Sequence, residues 1–356
     1  TVINGVDKIV TPAFINPYLD FAEHILVNNN INTNELPVIN VPSDLGDIEL
    51  FRKIVKYTCI LHVLSGFKGF NTISNRPEVV DEECREFKLK MWIGKWIDSE
   101  PPSSTPVRGV VGLKISSSSI ENIAKYREYV YYDDCKLFIK FDGTLDQVFE
   151  VKRKTGRWLI EYLYINNLIN SNIALVDLNW ISNMELGYLA EKKPLIIVYP
   201  SHTMIYGFRG FTPLHEIIAR NIPLTIGVDG VFNPRFNAWL ELSNMYLLYR
   251  HLYGDQRIST DKLYSHMLTS TYMFFEKREP LIVIDKPFDL AIYSINLNTI
   301  VNPLNYLYMY KPYPLYLLID GHLVVNPRIR LKMLFKLRSL SMEIREAVNQ
   351  LIERFK

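Results

Sequence analysis

From about residue 108 onward the chain alternates short β-branched runs with segments that open as helices do, and this alternation restricts the fold more than any other feature of the sequence. The openings are legible one by one. Ser118 to Glu121 follows the run Arg108 to Ile115, Thr144 to Gln147 follows Leu137 to Phe141, and Ser182 to Glu185 follows Ile173 to Leu178. Each places Glu or Gln three positions after a hydroxyl residue, so that two side chains satisfy free N–H groups in a first helical turn. Two more openings put proline at the first helical position, Thr212-Pro213 after Leu195 to Tyr199 and Asn233-Pro234 after Leu224 to Val228. Consecutive βα units of this kind build a parallel sheet.

Upstream the pattern is looser. Lys8 to Asn16 reads as a strand, Leu50 to Leu64 as an amphipathic helix, and Phe70 to Ser74 and Leu89 to Ile93 as strands, which brings the strand count to that of a (β/α)₈ barrel. A barrel of about 250 residues leaves room in a chain of 356 for an accessory module. Near residue 280 the rhythm changes: Leu281 to Ile284, Leu290 to Ile295 and Tyr316 to Val325 are strand-like with no helix between them. Beyond them Leu334, Leu337, Leu340, Ile344, Val348 and Leu351 recur at helical spacing. The expected organisation is a sandwich strand over 1–8, a barrel over 9–279, the rest of a small β-sandwich over 280–327, and a helical segment over 328–356. The basic cluster Arg328, Arg330, Lys332, Lys336 and Arg338 reads as the solvated face of that last helix.

Composition narrows the partners. With 48% hydrophobic and 22% charged residues the chain is globular, and a net charge of +2 gives no footprint for nucleic acid or an anionic membrane. The odd set Cys59, Cys84 and Cys135, without C-x-x-C spacing, speaks against a disulfide framework and a thiolate metal site, and a reducing, cytoplasmic setting is expected. No apolar run has membrane-spanning length, and the N-terminus lacks a signal-peptide layout; the absence of an initial methionine leaves room for further sequence upstream.

Several segments, in order, resemble the amidohydrolase superfamily, in its branch of cytosine and guanine deaminases and chlorohydrolases. Lys8-Ile9-Val10-Thr11-Pro12-Ala13-Phe14-Ile15-Asn16-Pro17 is similar to that family's entry to the first barrel strand. Tyr199-Pro200-Ser201 resembles its Cys-Pro-Ser after the seventh strand, and Gly227-Val228-Asp229 its Gly-Thr-Asp after the eighth. Pro287-Phe288-Asp289-Leu290 and Leu318-Ile319-Asp320-Gly321 resemble the Ala-Asp-Leu and Val-Asp-Gly of its C-terminal sandwich. The resemblance implies an amidohydrolase-type TIM barrel with a small sandwich, incomplete here because so little chain precedes the barrel.

It also implies a zinc or iron site of four imidazoles and one carboxylate, and there this chain departs from the pattern. Tyr18-Leu19-Asp20 stands at the family's His-x-His, Lys140 and Asp177 stand at the fifth- and sixth-strand histidines, and only the aspartate is kept, as Asp229. An ammonium cannot donate a lone pair to a dication, so no family-type metal cofactor is expected. Three readings of Asp20, Lys140, Asp177 and Asp229 stay open: Lys140 supplies the positive charge in place of a metal; the carboxylates and Tyr18 hold Mg²⁺ or Ca²⁺; or these are ordinary polar strand ends. His202 could line the cleft or be structural, as could His24, and Lys114 at the end of the fourth strand reads as a chance match to a family lysine. Tyr206, Phe208, Phe211, Phe232 and Phe236 read as filling the mouth. The functional expectation is a descendant of metal-dependent C–N hydrolases or deaminases that binds a small organic molecule, or serves as a partner protein, without metal hydrolysis. The alternative is an active hydrolase with Asp229 as general base and Lys140 or Tyr18 polarising the substrate.

Overall fold

A computed structural model describes residues 3–21, 47–97, 109–115, 120–130, 134–141, 143–206, 210–229, 236–254, 258–284, 288–295 and 302–355. Strand β1 (Lys8–Pro12) belongs to a small sheet. The large sheet holds eight strands in chain order: β2 (Phe14–Leu19), β3 (Phe67–Ile73), β4 (Lys90–Trp96), β5 (Gly109–Lys114), β6 (Cys135–Lys140), β7 (Ile173–Val176), β8 (Leu195–Val198) and β9 (Leu224–Ile226). Parallel pairing in strict chain order is the topology of a (β/α)₈ barrel. The small sheet runs β1, β10 (Leu290–Ser294), β11 (Tyr316–Ile319), β12 (His322–Val325), antiparallel throughout. The helices are α1 (Ile48–Ser65), α2 (Pro77–Cys84), α3 (Arg127–Val130), α4 (Leu145–Thr155), α5 (Leu159–Ile165), α6 (Asn183–Lys192), α7 (Pro200–Tyr206), α8 (Leu214–Ala219), α9 (Ala238–Tyr253), α10 (Thr260–Glu276), α11 (Pro303–Tyr310) and α12 (Pro327–Phe355). None of the described helices is long and apolar enough to cross a membrane.

The chain falls into two compact units, one of residues 1–91, 228–243 and 281–356, the other of 92–227 and 244–280. In the first, α1 begins at Asp47, whose carboxylate accepts from the amides of Glu49 and Leu50, and stops at Gly66, whose left-handed φ of 92° suits glycine. Its apolar face meets α12 in a cluster of Leu50, Ile54, Ile344 and Val348, with Lys53 paired to Glu343 at 3.0 Å beside it. Lys68 on β3 is fully buried and reaches Asp289 at 2.8 Å. Lys90 meets the same Asp289 oxygen at 3.0 Å, and the Asp320 amide donates to the other at 2.8 Å. The Lys68 ammonium and these hydrogen bonds outweigh the burial that opposes ionisation, and hold the Asp289 carboxyl down at about 2.

In the second unit α10 covers β8 and β9: Phe138 of β6 lies edge-on to Phe274 at 5.8 Å, and Thr225 bonds Thr271. Glu185 caps two helices at once. Its carboxylate accepts from Ser182 N at the start of α6 and from Ile160 N at the start of α5.

The structure departs from the sequence reading at several places. The run Lys8 to Asn16 divides at Ala13, so Lys8–Pro12 joins the small sheet and Phe14–Leu19 the barrel. Leu281 to Ile284 forms no strand and lies exposed, up to 88% at Ile284. Thr212 does not cap α8; its hydroxyl donates to Leu178 O at 2.9 Å, and the helix opens after Pro213. The openings at Ser118 and at Asn233-Pro234 lie outside the described residues. The cysteine reading is corrected outright, because Cys59 on α1 and Cys84 on α2 form a disulfide with Cα atoms 5.7 Å apart. Counting cysteines could not reveal it: the pair is separated by 25 residues and meets only because α2 packs on α1. Cys135 is free and buried, and burial pushes its thiol up to about 11.

Candidate functional site

The residues singled out at strand ends are placed by the barrel strands and the turns after them. In the first unit, Tyr18 lies inside β2 at 2% exposure, Asp20 follows the end of that strand half-buried, and Asp229 is buried at 4%. Asp229 is held from behind. The side-chain amide of Asn16 on β2 donates to Val228 O at 2.6 Å and accepts from Val228 N at 3.1 Å, a two-way bond of the kind a neighbouring strand makes. The peptide that leads into Asp229 is therefore fixed relative to β2, although Asn16 and Val228 are 212 positions apart in the chain.

In the second unit, Lys140 ends β6 in register with Lys114 on β5 and Val176 on β7, which sets two lysines at adjacent strand ends. Asp177 comes next after β7, buried, with a φ of 63°. Left-handed backbone at a buried non-glycine residue stores strain, and strain of this kind gathers at functional strand ends. Neighbouring contacts hold it there. Asp177 N donates to Ile197 O, and Asn179 N donates back to Asp177 O at 3.1 Å. A side chain at Gly143 would strike Asn179, and one at Gly210 would strike Trp180. Among the described residues the Asp177 carboxylate enters no ion pair.

His202 sits in α7 at 7% exposure, its ring stacked on Tyr199 with centroids 5.1 Å apart. Tyr199 also explains Gly227: any Cβ there would run into the tyrosine ring. Tyr199 and Gly227, one from each of two family-like motifs, thus lie against each other. Ser201 is further fixed by Asn244, whose amide donates to its hydroxyl at 3.0 Å. Of the aromatics expected to fill the mouth, Phe236 is buried against His62 with ring centroids 4.8 Å apart and Phe211 is half-buried; the side chains of Tyr206, Phe208 and Phe232, and the whole of His24, lie outside the described residues.

Sequence reasoning missed Asn16 and His62 as determinants of the Asp229 strand end, and the αL turn at Asp177. Only the position of Asn16 in a family-like segment hinted at the first.

The zinc or iron site that the resemblance implies can be judged from the donors. Tyr18, Asp20, Lys140 and Asp177 contribute no imidazole, and Lys140 contributes a cation where a lone pair is required. Among the described residues no group of three or more His, Cys, Asp or Glu side chains is gathered as a metal site requires. These four side chains by themselves do not supply the imidazoles of a family-type zinc centre.

No family model matches the chain. Among curated proteins, 5'-deoxyadenosine deaminase of Methanopyrus kandleri is 31% identical over 98 residues, 27% of this chain and 22% of the relative. That of Methanococcus maripaludis (strain C7) is 24% identical over 183 residues, 49% of this chain and 42% of the relative. The matched portion therefore spans less than half the length of these relatives. Among solved structures, an adenosine deaminase from Xanthomonas campestris with bound zinc superimposes with a TM-score of 0.79 at 14% identity, covering 96% of this chain and 87% of that one. Atrazine chlorohydrolase from Arthrobacter aurescens gives 0.77 at 11% identity over 95% and 89%, and the guanine deaminase of E. coli gives 0.74 at 13% over 90% and 85%. By strand order, by the antiparallel sheet beside the barrel and by these superpositions, the chain has the fold of the amidohydrolase-superfamily deaminases and chlorohydrolases.

Proposed function

We propose that this chain is a descendant of metal-dependent C–N hydrolases or deaminases that binds a small organic molecule at its barrel strand ends and has given up metal-dependent hydrolysis. One observation carries the reading: the strand ends that hold imidazoles in the family's pattern carry Tyr18, Asp20, Lys140 and Asp177, side chains that can hydrogen-bond and pair with a polar ligand but cannot assemble a zinc centre. Active sites of (β/α)₈ proteins lie at the C-terminal ends of the strands, so ligand recognition by this changed set needs no new architecture. His202, packed on Tyr199, is a further contact residue in this reading.

A second reading has its own observation. Asp229 is buried and the peptide before it is locked by Asn16, which suits a positioned general base in a metal-independent hydrolase, with Lys140 or Tyr18 polarising the substrate. Loss of a metal removes several kcal/mol of transition-state stabilisation, and that disfavours it.

Elemental analysis of the purified protein, combined with a deamination and hydrolysis screen over 5'-deoxyadenosine, adenosine, guanine and atrazine, decides between them. Saturable binding without turnover and without stoichiometric transition metal supports the binder. Turnover abolished by Asp229→Asn in metal-free protein supports the hydrolase, and stoichiometric zinc or iron overturns both.

A further inference from the structure

α12 buries one face and leaves the opposite one uncovered. Leu337, Leu340, Ile344 and Val348 are buried on the face toward α1. At about 100° per residue, Leu331, Phe335 and Met342 fall on the other side, and they are exposed by 56%, 66% and 60%. This apolar stripe runs roughly 17 Å along the helix. Helices of globular proteins ordinarily place charge there, and isolated exposed apolar residues need no explanation, but three on one stripe mark a contact surface.

The charges around the stripe divide cleanly. On the flank toward the body they are paired: Lys53 with Glu343 at 3.0 Å, and Lys336 with Glu86 at 3.1 Å. On the outward face, Arg328, Arg338 and Arg345 enter no ion pair among the described residues, and Glu346 is the single acidic side chain among them. Exposed leucine, phenylalanine and methionine interleaved with unpaired arginines fit an occupant that is apolar along its centre and acidic at its rims.

We infer that this face of α12 docks an acidic amphipathic helix of a partner protein. Arginine forks bind carboxylates bidentately, which gives such a partner register as well as affinity. A second copy of this chain fits poorly, since an antiparallel pair would set Arg338 against its own counterpart. A planar anionic bilayer fits less well, because Glu346 lies exposed on the same outward face.

The test uses the full chain and a labelled synthetic helix with leucines at i, i+3, i+4 and i+7 and flanking glutamates, read by fluorescence anisotropy. Micromolar binding is expected, weakened more than about tenfold by Phe335→Ser and by Arg338→Glu with Arg345→Glu. A peptide with lysine in place of glutamate should bind the charge-reversed variant and not the native chain. Unchanged unfolding temperatures show that the variants fold, as substitutions at exposed positions should. Equal binding of the acidic and basic peptides, or no binding of either, overturns the inference. So does flotation with phosphatidylserine vesicles, or a dimer in sedimentation, that Phe335→Ser abolishes.

Discussion

Asn16 donates a hydrogen bond to Nε2 of His62 at 3.0 Å, and this contact identifies the tautomer of a fully buried histidine. Nδ1 of His62 lies 2.8 Å from Thr58 O, an atom that can only accept, so the ring proton is on Nδ1 and Nε2 is the acceptor. Both amide protons of Asn16 are then used, one on His62 and one on Val228, while its oxygen receives Val228 N. Burial holds the imidazole down at about 4. The neutral ring is therefore part of the fold, and protonation would set two donors against each other.

Stability should consequently fall with acid in a defined window. The unfolded chain takes up the His62 proton below its ordinary value of 6.5, while the folded chain resists until about 4, so stability is full above pH 6.5 and declines toward pH 4. The loss is on the order of 3 kcal/mol. Urea melts at pH 7, 5.5 and 4.5 measure it, and His62→Gln should flatten the slope. An unchanged slope in that variant assigns the titration elsewhere.

Replacing Asn16 by leucine leaves the Val228 peptide and His62 Nε2 without partners in a dry site. The expected cost is about 3 kcal/mol, and backbone amide exchange near Val228 should rise more than elsewhere. Asn16→Asp keeps the acceptor but removes both donors, and should recover only part of the loss.

The Asp289 carboxylate should behave as a buried charge whose removal takes a carboxylate from the fully buried Lys68. Asp289→Asn is expected to cost about 3 kcal/mol or more, since Lys68 has no access to water. For a depressed carboxyl the contribution is present above its ordinary value of 3.8 and disappears as the pH falls through about 2. Acid unfolding of the Asn variant should show a shallower step in that range.

Gly227→Ala should displace the Tyr199 ring, at a cost of about 1–3 kcal/mol. Pairing it with Tyr199→Ala in a double-mutant cycle should show strong coupling, because the smaller ring-less side chain relieves the collision. Additive costs would mean that the two do not touch.

Thiol titration of the denatured, unreduced protein should find one reactive cysteine, Cys135, and three after reduction. Reduction should lower stability by about 3 kcal/mol for a loop of this length. Three thiols before reduction would refute the Cys59–Cys84 bond.

What the sequence determined by itself was the architecture. Alternating strands and capped helices are encoded in neighbouring residues: Ser182 and Glu185 form their reciprocal cap across three positions, and Thr144 accepts from Gln147 N as its spacing implies. Of the apolar positions read on α12, Leu337, Leu340, Ile344 and Val348 are buried as their helical period implies, while Leu334 at the edge of that face is 45% exposed. The changes at the family's metal positions were visible too, because they are changes of residue type. Tertiary structure alone decided the rest. Whether Lys8 to Asn16 is one strand or two depends on which sheet each half can pair with, and whether Leu281 to Ile284 pairs at all depends on there being a neighbouring strand. The Cys59–Cys84 bond, the two-helix cap at Glu185 and the Asn16 lock on Val228 join residues distant in the chain, and no local pattern distinguishes an asparagine that closes a seam from one on a loop. Such contacts are selected by packing, which satisfies buried polar groups only after the backbone has brought them within reach.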